Sequence, residues 1–236
     1  MGATGAQPRV RLQRAEREKL FLSEAIAFFA EAGFGGDTKA LAQRLGVTQS
    51  LLYRYFPSKD ALIERVFDEI FLTNFNPLWE EMLTDRTQGV QTRLMTFHRD
   101  FARVHLRRDR VRLSLFFALR GWDMSSYFRL MRDRVYVPIA VSLREYAGEP
   151  PLAEAPLRQP EVELGKAAVE KIQYYGIRKW VYNLSDLPPI ESLIDISVRG
   201  LLDGVRCALP EFRHVGGLYR YGDHAQPLFG VNRTVD

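Results

Sequence analysis

The chain has 236 residues, 46% apolar and 26% charged, which is enough for one large globular domain or two smaller ones. A single cysteine, Cys207, excludes an internal disulfide framework, and we expect it to be a buried, inert thiol in a reducing cytoplasm. No run of 18 apolar residues occurs, so the sequence predicts no membrane-spanning helix.

Positive charge is concentrated in the first quarter of the sequence. Residues 1–59 carry nine Lys and Arg and five acidic residues, an excess equal to the +4 of the whole chain. The remaining 177 residues carry 24 charges of each sign. A basic segment on an otherwise neutral chain indicates a polyanionic partner for that segment, although basic surfaces without a partner are also common.

Helical periodicity starts after a polar lead-in, residues 1–10, which we expect to be disordered. Apolar residues recur at helical spacing over 12–32, and Gly33 follows in a C-cap position. Asp37 or Thr38 can cap a second, short helix that ends at residue 45, because either side-chain oxygen can accept a bond from an orphan backbone N–H.

Two more short helices follow. Gly46 turns the chain, and Thr48 caps a third helix that ends at Pro57. Ser58 caps a fourth helix that runs on past residue 70, and 76–77 (Asn-Pro) marks a break or kink in it.

The rest of the sequence also has a helical period. Five further helical segments are predicted: 88–107, 109–120, 124–147, 161–182 and 189–209. Pro138 should kink the third of these unless it lies at a helix boundary. The Pro-rich stretch 148–160 reads as a loop, and no convincing strand pattern or repeat occurs. The predicted fold class is therefore all-α.

The second and third helices are the most informative elements. Two short helices joined by a tight glycine turn form a helix-turn-helix, whose second helix can enter the major groove of DNA. Ala42 is small where the two helices would touch, and Val47 and Leu52 would fill the space beneath them. The alternative interpretation is a generic small three-helix bundle.

Residues 38–62, TKALAQRLGVTQSLLYRYFPSKDAL, resemble the DNA-binding segment of TetR-type (TetR/AcrR-like) transcriptional regulators. Residues of this segment match that family's pattern at the same spacing, at 41–42, 46–48, 52–56 and 58–62. Gln49 stands where a small residue is frequent, and Tyr55 replaces a frequent His.

The resemblance implies two functional domains. The first is a three-helix DNA-binding domain with a helix-turn-helix over residues 11–62. The second is a larger helical domain for ligand binding and dimerisation over 63–209, followed by a carboxy-terminal extension, 210–236. It also implies a cytoplasmic homodimer that contacts its partner through the last two long helices.

Hydroxyl and ammonium groups in the motif suit a phosphate backbone, which requires donors that are held still. Tyr53 and Tyr55 can point their hydroxyls outward, and Lys59 lies in the first turn of the fourth helix. Gln49 and Ser50 start the third helix, whose first residues face base edges. Tyr55 could equally be a core residue. The candidate DNA-binding residues are Thr38, Lys39, Thr48, Gln49, Ser50, Tyr53, Arg54, Tyr55 and Lys59.

Aromatic residues in the larger domain exceed what a minimal core needs, so they could line an apolar cavity between helices. Simple core packing is the competing interpretation for each of them. The candidate ligand-binding residues are Phe71, Phe75, Phe97, Phe101, Phe116, Trp122, Tyr127 and Tyr174. The sequence implies no cofactor, but it allows an unidentified small apolar effector.

Catalytic motifs are missing from the sequence. His98 and His105 share a helix face, but the only acidic residue between them, Asp100, lies on another face, so no metal site is predicted. No nucleophile-base signature or phosphate-binding Gly loop occurs. The resemblance to TetR-type regulators implies a ligand-responsive repressor that binds a palindromic double-stranded DNA operator as a dimer. The alternative is a helical adaptor or enzyme with an incidental helix-turn-helix.

Overall fold

The computed structural model describes residues 13–73 and 75–212, so the predicted lead-in and nearly all of the extension lie outside the described residues. The described residues form helices and no β-strand, which confirms the all-α class. Their contacts divide the chain into two compact units after Thr73, whereas the sequence placed a domain boundary at 62/63. Across both described ranges, every helix is too short or too polar to cross a membrane.

The amino-terminal unit contains four helices in its described part. They are α1 (Arg14–Ala32), α2 (Thr38–Arg44), α3 (Gln49–Tyr53) and α4 (Lys59–Phe67), which continues as a wider π-type turn, Asp68–Thr73. Helix α1 packs against α2 and α4, and α2 packs against α3. Phe29 of α1, Leu41 of α2, Leu52 of α3 and Ile63 of α4 are each fully buried, so the four helices share one apolar core.

Side-chain caps fix where these short helices begin. The Asp37 carboxylate accepts a hydrogen bond from the Lys39 amide at 2.9 Å, so Asp37 rather than Thr38 caps α2. Thr48 accepts from the amide of Leu51 at 3.2 Å, and Ser58 caps α4 in the same way. Each cap satisfies a backbone N–H that the helix itself leaves without a partner.

Gly46 sets the angle between α2 and α3. Its φ is +66°, a left-handed conformation that side-chain-bearing residues rarely adopt. The following amide, that of Val47, donates to the Ala42 carbonyl at 2.9 Å, which closes the carboxyl end of α2. The predicted helix-turn-helix is therefore present, with α3 as its second helix.

The larger unit is also helical throughout its described residues. Its helices are α5 (Leu78–Thr84), α6 (Val90–His105), α7 (Arg108–Leu119), α8 (Ser125–Met131), α9 (Val137–Ala147), α10 (Gln159–Trp180) and α11 (Ile190–Phe212). Helix α10 packs against α6, α7, α9 and α11. The predicted segment 124–147 is divided by a π-type turn, Arg132–Tyr136, and Pro138 lies in the first turn of α9, directly after that turn.

A buried ion pair closes the Pro-rich loop 148–160. The Arg144 guanidinium donates to both Glu161 carboxylate oxygens at 2.8 Å, and both side chains are almost completely buried. The same guanidinium donates to the loop carbonyls of Pro150 at 3.2 Å and Pro156 at 3.3 Å. One side chain thus joins α9, the loop and the start of α10, and its charge is compensated within the protein.

Helix α11 has one buried and one exposed face. Ile194, Val198, Leu202 and Val205 form its buried stripe at intervals of three and four residues. Cys207 lies on the other face and is exposed, so the expectation of a buried thiol is wrong. The apolar stripe that sets the orientation of the helix passes through Val205, which turns residue 207 outward.

Candidate nucleic-acid interface

The amino-terminal end of α3 is presented to solvent by burial of its opposite side. Leu52 has no exposed surface, whereas Thr48 and Ser50 are exposed and Gln49 is half-buried. The Thr48 side chain already accepts from the Leu51 amide, but its hydroxyl hydrogen is not used by that bond. Thr48, Gln49 and Ser50 thus lie together at the outward end of the second helix of the helix-turn-helix.

Thr38 joins α2 to both ends of α3. Its side-chain oxygen lies 2.8 Å from the Tyr53 hydroxyl oxygen, and it accepts a hydrogen bond from the Gln49 amide nitrogen at 2.8 Å. Thr38 itself is only 4% exposed. Three of the expected DNA-binding residues therefore form one hydrogen-bonded cluster, in which Thr38 is the buried member.

The cations of residues 38–59 fall into two groups. Arg44 is held by two carboxylates of α1, because its guanidinium is ion-paired with Glu24 and lies 2.7 Å from a Glu31 oxygen. These bonds raise the Arg44 pKa, with the Glu31 hydrogen bond as the largest cause. A second group, Lys39, Arg54 and Lys59, has no ion-pair partner within the described residues. These three charges are available to an external anion.

Tyr55 points its ring into the protein. The ring packs edge-on against Phe21 at 5.1 Å between centroids, and the Arg14 guanidinium carbon lies 5.8 Å from its centre. Tyr55 also lines a shallow cleft of about 270 Å³ whose wall includes the carboxylates of Glu18, Glu64 and Asp68. Arg65 lines the same cleft, so the charges around the Tyr55 ring are of both signs.

The expected ligand-binding aromatics lie in different environments. Phe97, Phe101 and Tyr127 are buried, whereas Tyr174 is 54% exposed. Phe75, Phe116 and Trp122 are half-buried. Phe71 is buried within the amino-terminal unit.

Trp79, which the sequence analysis did not single out, is the centre of an aromatic cluster. Its ring lies 4.9 Å from Phe75, 6.1 Å from Phe97 and 5.2 Å from Phe101. Its indole N–H donates to Asp100 at 2.9 Å. Asp100 also accepts from Asn76 at 2.8 Å, so this carboxylate orders the start of α5.

Both histidines of α6 are buried and bonded to protein groups. The His98 ring nitrogens lie 2.7 Å from the Leu94 carbonyl oxygen and 3.1 Å from that of Ala168. His105 stacks on Phe101 at 3.6 Å, and its Nε2 lies 3.2 Å from the Tyr127 hydroxyl. Within the described ranges, no three potential ligands cluster as a metal site requires.

Burial lowers the pKa of both histidines. The His98 pKa falls to about 4, mainly through desolvation, against which its two carbonyl hydrogen bonds act. Desolvation and the nearby Arg110 charge hold the His105 pKa well below its ordinary value. Both rings are therefore neutral at neutral pH.

Residues 21–66 match the family model of bacterial regulatory proteins of the tetR family, which confirms the resemblance seen in the motif. That family consists of transcription regulators and not of enzymes. A comparison with curated proteins gives no significant match.

Solved structures share the fold. A TetR-like regulator from Rhodococcus sp. RHA1 is 18% identical with a TM-score of 0.57, covering 85% of this chain and 99% of its own. AmtR of Mycobacterium smegmatis is 22% identical with a TM-score of 0.55, covering 85% of this chain and 90% of its own. PfmR of Thermus thermophilus is 20% identical with a TM-score of 0.56, covering 78% of this chain and 97% of its own.

The buried histidines predict that stability falls with acidification. His98 has a folded-state pKa of about 4 and an ordinary value of 6.5, so the unfolded chain binds a proton that the folded chain rejects between these pH values. Its contribution is complete above about pH 6.5 and is lost as the pH falls to about 4, a loss of about 3 kcal/mol for this shift. Urea unfolding at a series of pH values measures the slope.

The variant His98→Gln is the matched test of this slope. Glutamine keeps a hydrogen-bond donor but cannot titrate, so the free energy of unfolding should depend less on pH between 4 and 6.5. His105 should account for part of the remaining slope. An unchanged slope in His98→Gln would show that this ring does not titrate as its surroundings indicate.

Proposed function

We propose that this chain, whose amino-terminal segment belongs to the TetR family of bacterial regulatory proteins, is a ligand-responsive cytoplasmic repressor that binds a palindromic operator as a homodimer. Its DNA-binding role as a transcription regulator follows from the family match and the helix-turn-helix. The observation that carries the proposal is the exposed end of α3 in a helix-turn-helix whose cations Lys39, Arg54 and Lys59 have no ion-pair partner in the described part of the chain.

The proposed DNA contacts divide by chemistry. Lys39, Arg54 and Lys59 supply positive charge to phosphates, and the Thr48 and Tyr53 hydroxyls donate to phosphate oxygens. Gln49 and Ser50 face base edges, and a glutamine amide suits the N6 and N7 pair of adenine. We propose core packing as the role of the Tyr55 ring, because it lies edge-on against Phe21.

The exposed stripe of α11 supports a dimer. Ile196 is 70% exposed, and Gly200 and Gly204 follow it at intervals of one helical turn. A Cβ at either glycine would meet nothing within 4 Å in the chain itself. Glycine in a helix costs about 1 kcal/mol relative to alanine. The chain's own packing does not require either glycine. Both glycines suit close approach by a second copy of α11 about a two-fold axis.

The aromatic residues of the larger unit support a small apolar effector. Phe75, Phe116 and Trp122 are half-buried and so can be reached, whereas Phe97 and Phe101 are packed in the cluster around Trp79. Tyr174 lies on the surface under the Arg178 guanidinium, which makes it a weak candidate. An effector releases DNA only if it binds the DNA-incompetent conformation more tightly than the competent one.

The first prediction concerns DNA recognition. Wild-type protein should select a pseudo-palindrome from a random-sequence duplex library, because two copies of α3 read two half-sites. Lys59→Ala should weaken binding to all sequences alike and reduce the slope of log affinity against log salt by about one. Gln49→Ala should relax the preference at one base position of each half-site, a loss of about 1–3 kcal/mol in discrimination.

The matched control for this experiment is Gln173→Ala, which removes an exposed glutamine of α10 in the larger unit. It should leave affinity and consensus unchanged. A consensus that survives Gln49→Ala would contradict the assignment of base reading to Gln49. A wild-type protein that selects no consensus would contradict the proposed function as a whole.

The second prediction concerns assembly. Ile196→Asp should convert a dimer into a monomer at micromolar concentration in light scattering, because a buried aspartate at a helix crossing has no partner charge. Leu119→Asp is the control, since Leu119 is 85% exposed on α7, away from this stripe. A monomeric wild-type protein, or a dimeric Ile196→Asp variant, would rule out this interface.

The third prediction concerns the effector. In a thermal-shift screen of small aromatic and acyl compounds, a true effector should raise the melting temperature and weaken operator binding, as linkage requires. Phe116→Ala should reduce both effects and leave ligand-free operator affinity nearly unchanged. The control Tyr174→Ala should retain both effects, because that ring is exposed. Equal loss in the two variants would exclude the proposed pocket.

A further inference from the structure

Thr38 lies at the centre of the DNA-binding surface without being exposed on it. It is 4% exposed, and its oxygen is 2.8 Å from both Gln49 Nε2 and the Tyr53 hydroxyl. A phosphate cannot reach this oxygen unless α2 or α3 moves. A direct contact between Thr38 and DNA, which the sequence suggested, therefore does not suit this geometry.

The hydrogens of the cluster can be assigned from its chemistry. The Gln49 amide nitrogen only donates, so Thr38 accepts that bond. The Thr38 hydroxyl hydrogen then has one acceptor within the described residues, the Tyr53 oxygen. Once Tyr53 accepts from Thr38, its own hydroxyl hydrogen is free to point outward. The arrangement that gives the Thr38 hydrogen an acceptor therefore runs in one direction, from Gln49 through Thr38 to Tyr53.

The reverse direction leaves Tyr53 unable to donate. If the Gln49 amide were rotated so that its oxygen faced Thr38, Thr38 would donate to Gln49 and accept from Tyr53. The Tyr53 hydrogen would then point inward, and its oxygen would face any phosphate with lone pairs only. A phosphate at Tyr53 consequently favours the direction in which Gln49 keeps its nitrogen inward.

We infer that Thr38 is a positioning residue that links the phosphate contact of Tyr53 to base reading by Gln49. This inference rests on the proposed function, because it assigns a role within the same DNA-binding surface. With one amide hydrogen held by Thr38, Gln49 keeps its second amide hydrogen and its carbonyl oxygen for a base. That pair matches N7 and N6 of adenine. Phosphate binding at Tyr53 thus favours the orientation of the Gln49 amide in which its nitrogen faces Thr38.

The test compares two variants at position 38. Thr38→Val keeps the shape of the side chain and removes the hydroxyl, whereas Thr38→Ser keeps the hydroxyl and removes the methyl group. Two DNA duplexes are the probes. One carries the consensus selected by wild-type protein, and the other differs from it by a single base at the position where Gln49→Ala relaxes the preference. Thr38→Val should reduce discrimination between these duplexes by about fivefold or more. Fivefold is about the lower end of the discrimination that one bidentate contact provides.

Thr38→Ser should retain wild-type discrimination within about twofold, even if its melting temperature falls as far as that of Thr38→Val. If Thr38 had only a structural role, the loss of discrimination in each variant would instead follow the drop in its melting temperature. Tyr53→Phe should lower both overall affinity and discrimination, because it removes the acceptor for Thr38. Lys59→Ala should lower affinity alone, since Lys59 has no bond to this cluster.

A second readout needs no DNA. In the free protein, the NMR signals of the Gln49 side-chain amide should shift in Thr38→Val and stay near their wild-type positions in Thr38→Ser. Unshifted signals in Thr38→Val, or full discrimination by that variant, would overturn the relay and leave the proposed function intact. Equal loss of discrimination in Thr38→Ser and Thr38→Val would also overturn it. If wild-type protein selects no consensus, the proposed function itself fails.

Discussion

The proposed DNA-binding surface depends on the burial of one leucine. Helix α3 has only five residues, far fewer than an isolated helix needs in water, because the cost of forming its first turn is never recovered. Leu52 has no exposed surface and Phe56 is 2% exposed, so the core that holds α3 also decides which side of it faces outward. Burying one such side chain stabilises by about 1.5–3 kcal/mol. The outward position of Thr48, Gln49 and Ser50 is a consequence of that burial.

Electrostatics separate the two sides of this unit. Arg44 is ion-paired with Glu24 and Glu31, and three acidic residues and Arg65 line the cleft beside Tyr55. The cations around α3 have no such partners in the described range, so an incoming phosphate breaks no existing ion pair. Net charge alone, which the sequence gives directly, does not reveal this division. It follows from which side chains the helix packing brings together.

Local signals in the sequence were sufficient for most of the fold, because caps and turns act within a few residues. Asp37, Thr48 and Ser58 cap helices as their positions indicate, and Gly46 takes the left-handed turn. Side-chain environments were harder to predict from the sequence, since they depend on neighbours that are distant in the chain. Cys207 is exposed because of the register of α11, and the hydrogen bond between Thr38 and Tyr53 spans 15 residues. The apolar period of α11 does place Cys207 off the buried stripe, whereas no periodicity in the sequence encodes the contact between Thr38 and Tyr53.

The cluster at Thr38 also bears on how recognition energy should be divided among residues. Single substitutions add only when the sites share no partner, and Gln49 and Tyr53 share Thr38. Under the proposed relay, removing the Tyr53 hydroxyl also changes the Gln49 side chain that would meet a base, so the free-energy cost of that substitution would include part of the base-reading energy. Contacts to phosphate are ordinarily treated as independent of sequence. If phosphate binds at Tyr53 as proposed, the hydrogen-bonded path through Thr38 makes Tyr53 an exception, whereas Lys59, which has no bond to that path, follows the general rule.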